Sequence, residues 1–201
     1  FLKRDISTVI LLRGNYWEEA EWAKKTIYNS PIKQIVYKKN VRLIDTSFEK
    51  STLILPISKY LEKEVRKRYP NKKIELLYAD GRVPSKWNAS SKNELSHPCV
   101  GLLQGLNIWG KTEELLTLEK VLEKLPEITF YLAGDGIYKD QIIPRLNKFD
   151  NFIWLGNLEY PKKVHDFLSE IDIFLLLSGL EGFGQSIVEA MLMKRPVIAT
   201  N

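Results

Sequence analysis

The stretch CVGLLQGLNIWGKTEELLTLEKVLEKLPEITFYLAG, residues 99–134, reads as one strand–helix–strand unit. It opens on a continuous apolar run, CVGLLQG (99–105), and closes on another, ITFYLAG (128–134). Runs that are apolar throughout, rather than alternating, suit strands covered on both faces of a parallel sheet. Between them Leu115, Leu118, Leu122 and Leu125 recur at helical spacing over a helix predicted from Lys111 to Leu125, and Pro126 stops it. The pattern repeats in both directions. TVILLRG (8–14), TLILPIS (52–58) and IELLYA (74–79) precede it; FIWLG (152–156), DIFLLLS (172–178) and PVIAT (196–200) follow. Ser58 is placed to cap a helix carrying Leu61, Val65 and Tyr69 on one face, with Pro70 ending it. Strand and helix in alternation predict a doubly wound α/β fold.

Composition agrees with a globular chain. Of 201 residues, 44% are hydrophobic and 27% charged, which argues against disorder and fibrous repeats. One cysteine, Cys99, excludes a disulfide framework or a cysteine-rich metal site, and two histidines, His97 and His165, argue against a His-based metal cluster. The longest apolar run, Ile171 to Leu177, is broken by Asp172 and far short of the ~18 residues a membrane helix needs. The opening FLKRD is too short and too charged for a secretory signal. A reducing, cytoplasmic compartment is the expectation.

Charge divides the chain. Residues 1–90 carry 19 Lys+Arg against 10 Asp+Glu, a net of +9; residues 91–201 carry 11 against 15, a net of −4. The sign changes within DGRVPSKWNASSKNELSHP (80–98), a polar, turn-rich stretch that reads as a linker. Two domains are expected, at 1–90 and 91–201. With three strands before the linker and a stop straight after a strand, the sequence reads as a piece of a longer protein lacking material at both ends.

In the usual strand order 3-2-1-4-5, strand 99–105 lies beside strand 172–178, and the loops that follow them part to leave a crevice. The first loop is Gly105-Leu-Asn-Ile-Trp-Gly-Lys111; the second, Ser178-Gly-Leu-Glu-Gly-Phe-Gly-Gln-Ser186, enters a helix. Exposed amides, a helix N-terminus and the Lys111 charge suit a phosphate group. Glu181 on the loop and Glu189 about one turn into the helix suit the vicinal hydroxyls of a sugar. Turn chemistry, N-terminal charge compensation and plain solvation are the competing readings of the same residues.

The run Glu181-Gly-Phe-Gly-Gln-Ser-Ile-Val-Glu189-Ala-Met, followed by Pro196-Val-Ile-Ala-Thr, resembles the Glu-x7-Glu signature of retaining glycosyltransferases with the GT-B fold, family 4, the glycosyl transferases group 1. AGDG (133–136), FIWLGN and DIFLLLS follow in that family's order, and STLILPISKYLEKEV resembles the end of its acceptor domain. The resemblance implies two Rossmann-like domains: a partial N-terminal acceptor domain in 1–90 and most of a C-terminal nucleotide-sugar-binding domain in 91–201. It implies sugar transfer from a nucleotide diphosphate donor, UDP- or GDP-sugar foremost, to a glycan, lipid-linked or small-molecule acceptor, with no cofactor and no metal. Carried over residue by residue, Glu181 contacts the donor sugar and is the catalytic candidate. Gly105, Gly182, Phe183, Gly184 and Gln185 line the donor, Lys111 neutralises the diphosphate, and Glu189 holds the ribose. Arg13, Gly14 and Asn15 fall at the family's acceptor-side turn. Two positions depart from the pattern: Leu106 stands where the family has Arg, and Arg13 stands near its His.

Several residues carry a weaker reading. Gly134-Asp-Gly136 is too short for a dinucleotide fingerprint. Tyr16, Trp17 and Trp22 suit core packing, with an acceptor surface as the alternative. His97 and His165 read as surface residues and Cys99 as a small core residue. Lys59, Lys63, Arg66 and Lys67 share a helix face, either merely solvated or lying on an anionic membrane surface, which makes a peripheral position at the cytoplasmic membrane face a further expectation. A non-catalytic nucleotide-sugar-binding relative or partner subunit is the alternative function. A nucleic-acid-binding protein is disfavoured, because the strongest signature lies in the acidic half.

Overall fold

The computed structural model describes residues 6–78, 82–88 and 94–200. The chain divides into two compact units, Phe1–Gly81 with Leu180–Phe183, and Arg82–Gly179 with Gly184–Asn201. Parts of two predicted segments, Ala79 of IELLYA and residues 80, 81 and 89–93 of the linker, lie outside the described residues.

The first unit runs β1 (Val9–Leu12), α1 (Tyr16–Thr26), α2 (Pro31–Lys50), β2 (Leu53–Pro56) and α3 (Lys59–Arg68). β1 and β2 pair in parallel, from Val9 opposite Leu53 to Leu12 opposite Pro56. Each helix start carries its own signal: Asn15 accepts from the Glu18 N–H, Pro31 opens α2, and Ser58 accepts from the Leu61 N–H. Leu12, Phe48, Ile54, Ile57, Leu61 and Val65 form the core, with Trp17 and Tyr69 packed on it. The predicted strand IELLYA is not a full strand. Ile74 makes one parallel bridge to Ile54, while Leu77 and Tyr78 are exposed, so this edge segment has no second face to bury.

The second unit opens with a single 3-10 turn, Pro84–Lys86, and then alternates strand and helix. Its elements are β3 (Cys99–Leu103), α4 (Trp109–Thr112), α5 (Leu118–Lys124), β4 (Thr129–Ala133), α6 (Lys139–Leu146), β5 (Phe152–Gly156), α7 (Lys162–Glu170), β6 (Ile173–Leu176), α8 (Gln185–Leu192) and β7 (Val197–Ala199). All pairings are parallel and the order is β5-β4-β3-β6-β7, so the unit's first strand lies beside its fourth, as the sequence predicted. Leu115, Leu118, Leu122, Ile142 and Leu146 cover one face over Leu102, Phe130 and Leu132. Val164, Phe167, Leu168, Ala190 and Met193 cover the other over Cys99, Tyr131 and Phe174. In β3, β4 and β6 side chains alternate between two covered faces, which is why these strands read as apolar throughout.

Two further expectations need correction. The helix predicted over 111–125 is three pieces, α4, a 3-10 stretch at Glu113–Thr117 and α5. Thr112 and Thr117 hydroxyls donate to the carbonyls of Ile108 and Glu114, at 2.9 and 2.7 Å, competing with the regular ladder. His165 is half-buried rather than a plain surface residue; its ring lies 4.0 Å from that of Trp87, which is itself buried despite its place in the polar linker. Gly134-Asp-Gly136 is a packing device. Gly134 has φ +143°, and a Cβ there would sit 1.9 Å from the Gln104 carbonyl oxygen, so only glycine fits. Among the described residues no helix is long and apolar enough to cross a membrane.

Candidate functional site

Because β3 and β6 are neighbours, the loops leaving their C-terminal ends diverge at the switch point of the sheet. Gln104 ties that point together: its Nε2 donates to the Lys111 carbonyl at 3.2 Å and to the Leu177 carbonyl at 3.1 Å. Its Oε1 is buried without a partner among the described residues. Gly105 is exposed on the first loop, and Lys111 lies half-buried on α4. Gly179, on the second loop, faces the carbonyl of Gly110, so the two loops approach closely inside this unit.

Leu106, at the position of the resemblance's missing Arg, is fully buried in the core between the sheet and α6. Its N–H donates to the Asp135 carbonyl and its carbonyl accepts from the Tyr138 N–H, both at 3.0 Å. A guanidinium at that buried position would need a partner the core does not offer. Nearby Asp135 accepts from the Gly136 N–H at 2.6 Å and pairs with Lys139 at 3.2 Å, contacts that hold its carboxyl below the usual range.

Helix α8 begins at Gly184, whose φ of +69° is the left-handed conformation glycine favours at a sharp entry. Gln185 is the first helical residue, and its Nε2 is buried without a partner among the described residues. Glu189 follows a turn later and is 5% exposed. Its Oε1 accepts from Arg82 Nε at 3.0 Å and from the terminal guanidinium NH2 as well, a pair buried on both sides. Arg82 was not singled out by sequence reasoning, since it lies in the turn-rich linker 107 positions from its partner. Gln104 was missed too; nothing in an isolated glutamine announces a bridge between two loops.

Leu180–Phe183 belong to the first unit, so Glu181, Gly182 and Phe183 are placed there. Gly182 accepts from the Ser58 hydroxyl at 2.7 Å, and Phe183 packs near Tyr78, ring centroids 6.4 Å apart. Arg13 and Gly14 follow β1. Asn15 is buried, donating to Glu18 Oε2 at 2.7 Å and Tyr60 Oη at 2.6 Å. A cavity of about 420 Å³ opens beside it, lined by Tyr16, Trp17, Tyr37, Tyr60, Glu18 and Glu64 among others. Trp17 is also a packing residue, against Phe48 and Tyr69. On α3, Lys59, Lys63, Arg66 and Lys67 are exposed as a basic face, although Arg66 pairs with Glu62 at 2.8 Å.

The second unit is a doubly wound parallel α/β unit whose two crevice-forming loops carry glycines at the switch point. The family described as "Glycosyl transferases group 1" matches residues 99–201, and the chain belongs to that family. It is 29% identical over 114 residues to the O-antigen biosynthesis glycosyltransferase WclY of Escherichia coli, covering 55% of this chain and 31% of that protein. Against the uncharacterized glycosyltransferase MJ1059 of Methanocaldococcus jannaschii it is 30% identical over 105 residues, 48% of this chain and 25% of that one. The match thus spans a third or less of these curated relatives. Among solved structures, Anabaena HepE in complex with UDP and glucose superposes with TM-score 0.68 at 16% identity, over 96% of this chain and 52% of that one. WaaG, a glycosyltransferase involved in lipopolysaccharide biosynthesis, gives 0.62 at 16% identity, over 95% and 55%. The fold is the Rossmann-like GT-B fold.

Proposed function

We propose that the protein transfers a sugar from a nucleotide diphosphate donor to a glycan or lipid-linked acceptor, with retention at the anomeric carbon and no metal in the transfer step. The observation that carries this reading is Glu189, a buried carboxylate near the start of α8, held on one oxygen by Arg82. In this reading Oε2 of Glu189 accepts the ribose hydroxyls, while Arg82 fixes the carboxylate's aim. The α8 N-terminus at Gly184 and Gln185, the Lys111 ammonium and the backbone at Gly105 take the diphosphate. Stabilising the departing diphosphate is then the second unit's main contribution, and the leaving phosphate takes the acceptor's proton.

Glu181, with the backbone of Gly182 and Phe183, is assigned to the donor sugar. The turn Arg13-Gly14-Asn15 is assigned to the acceptor side, with the aromatic, carboxylate-lined cavity beside Asn15 as its surface. A cytoplasmic location, with the basic face of α3 against an anionic membrane, belongs to the same reading. UDP- and GDP-sugars are the donors proposed; the UDP found with HepE supports the former.

One observation favours a second reading. Leu106, buried where the family has Arg, leaves Lys111 without the second cation expected at the diphosphate, and a subunit that binds a nucleotide sugar without turning it over would tolerate that loss. A panel of UDP-, GDP- and ADP-sugars tested by thermal shift, then for donor turnover, separates the readings. At a hundredfold excess over Kd a ligand adds about 2.7 kcal/mol, which for a chain of this size raises Tm by about 5–10 °C. Stabilisation with turnover supports the transferase, stabilisation alone supports the binding relative, and no stabilisation by any member contradicts both.

A further inference from the structure

The end of the second unit's sheet opposite the crevice gathers three side chains that the proposed transfer does not use. His97 and Cys99 stand at the start of β3, and Asp172 directly precedes β6, its neighbour. His97 Nδ1 lies 2.8 Å from Asp172 Oδ2 and 3.6 Å from Cys99 Sγ. The Cys99 N–H donates to the same Asp172 oxygen at 2.7 Å, anchoring the carboxylate independently of the imidazole. One donor atom from each residue falls within 4.8 Å of the other two. A second carboxylate, Glu170, sits close by, accepting from the Leu95 N–H at 2.6 Å.

The donor set is one imidazole nitrogen, one sulfur and one carboxylate oxygen. Hard cations prefer all-oxygen sets, whereas nitrogen with thiolate selects zinc and its neighbours. The spacing fits as well. With metal–sulfur at about 2.3 Å and metal–nitrogen at about 2.0–2.1 Å, a tetrahedral centre has a sulfur–nitrogen edge of about 3.6 Å, the separation observed. The nitrogen–oxygen pair has to open, from 2.8 Å to about 3.3 Å, and both side chains are nearly half-exposed and able to move. Cys99 is the buried member, so a cation would sit at the rim of the core with water in its fourth position.

We propose that His97, Cys99 and Asp172 form a zinc(II) site that clips the start of β3 to the start of β6. Binding forms three metal–ligand bonds, displaces waters from the ion, releases the Cys99 thiol proton to the solvent, and breaks the His97–Asp172 hydrogen bond, the ring proton that Nδ1 held against the carboxylate being carried on Nε2 instead. The role is structural, because the site lies at the end of the strands away from the crevice.

Cobalt(II) titration of protein stripped with chelator tests this, with cobalt as the probe and zinc as competitor. The expected result is a near-ultraviolet thiolate-to-cobalt band with strong visible bands of a four-coordinate ion, saturating at one per chain and erased by zinc. Cys99→Ser removes the thiolate band. Asp172→Asn, which keeps an acceptor for the Cys99 N–H, and His97→Ala, at an exposed position, each weaken cobalt binding at least tenfold while leaving far-ultraviolet dichroism intact. Zinc raises the Tm of the unaltered protein and not that of His97→Ala. Absence of a thiolate band, or a band whose affinity is unchanged in both His97→Ala and Asp172→Asn, overturns the site.

Discussion

The two units bury their strands differently. In the second, the central strands β4, β3 and β6 lie between helices on both faces, and Leu102, Leu132 and Phe174 are sealed from solvent. In the first, the two strands alternate: Leu12 and Ile54 point into the core, while Val9 and Leu11 remain exposed. Two-stranded sheets are marginal by themselves, so the first unit's cohesion rests on α2 and α3 packing through Phe48, Leu61 and Val65. The difference teaches that one unit is built as a stiff platform, on which loops can hold a ligand at fixed spacing, and that the other is held by its helices.

The sharpest way to break that comparison is a pair of apolar truncations. Phe174→Ala, in the fully covered sheet, is expected to cost about 3–5 kcal/mol by denaturant unfolding. Ile32→Ala on α2, 78% exposed, is expected to stay within about 0.5 kcal/mol. Equal losses would mean that the two faces are covered alike.

Next in size is the ion pair of the second unit. Arg82→Ala leaves Glu189 buried without its partner, and a loss of about 3 kcal/mol is expected. Adding Glu189→Gln to that variant should restore most of the loss, because the uncompensated charge is gone. A double variant no more stable than Arg82→Ala would show that the guanidinium acts through packing alone.

In the first unit the helix cap is the smaller lever. Asn15→Ala removes the acceptor for the Glu18 N–H and both Nδ2 bonds, and about 1–2 kcal/mol should disappear from the unfolding free energy. Values near zero would mean that water replaces all three contacts at no cost.

The smallest effect is alkaline. Burial, with Glu21 beside Tyr37 and Asp45 beside Tyr69, pushes both phenols up to about 12. Their folded values exceed the ordinary value of 10.0, so the stability they contribute is complete below pH 10 and is lost as pH rises toward 12. Tyrosinate absorbance should show a late-titrating fraction, reduced by one residue in Tyr37→Phe. Titration of every tyrosine near pH 10 would remove this contribution.

How much was legible follows from the same contrast. Strands covered on both faces are apolar at every position, so 99–105, 128–134 and 172–178 announce themselves, and the strand order follows from chirality and connection rules. IELLYA was misread because an edge segment can be apolar without being covered. The break after Thr112 was hidden in side-chain hydroxyls that a hydrophobic period cannot register. At the crevice, Lys111, Gly184 and Glu189 stood out by charge and turn chemistry. Arg82 and Gln104 did not, since each acts through a contact set by tertiary placement, at separations of 107 and 73 residues.

The proposed donor site puts a nucleotide sugar at the C-terminal ends of β3 and β6. Hydrogen–deuterium exchange with and without saturating UDP- or GDP-sugar tests it without requiring turnover. Slowed exchange is predicted for amides 105–112 and 184–190, with no change at 95–99 or 170–172 at the far end of the same strands. Protection confined to the far end, or to the first unit alone, would contradict that placement of the donor.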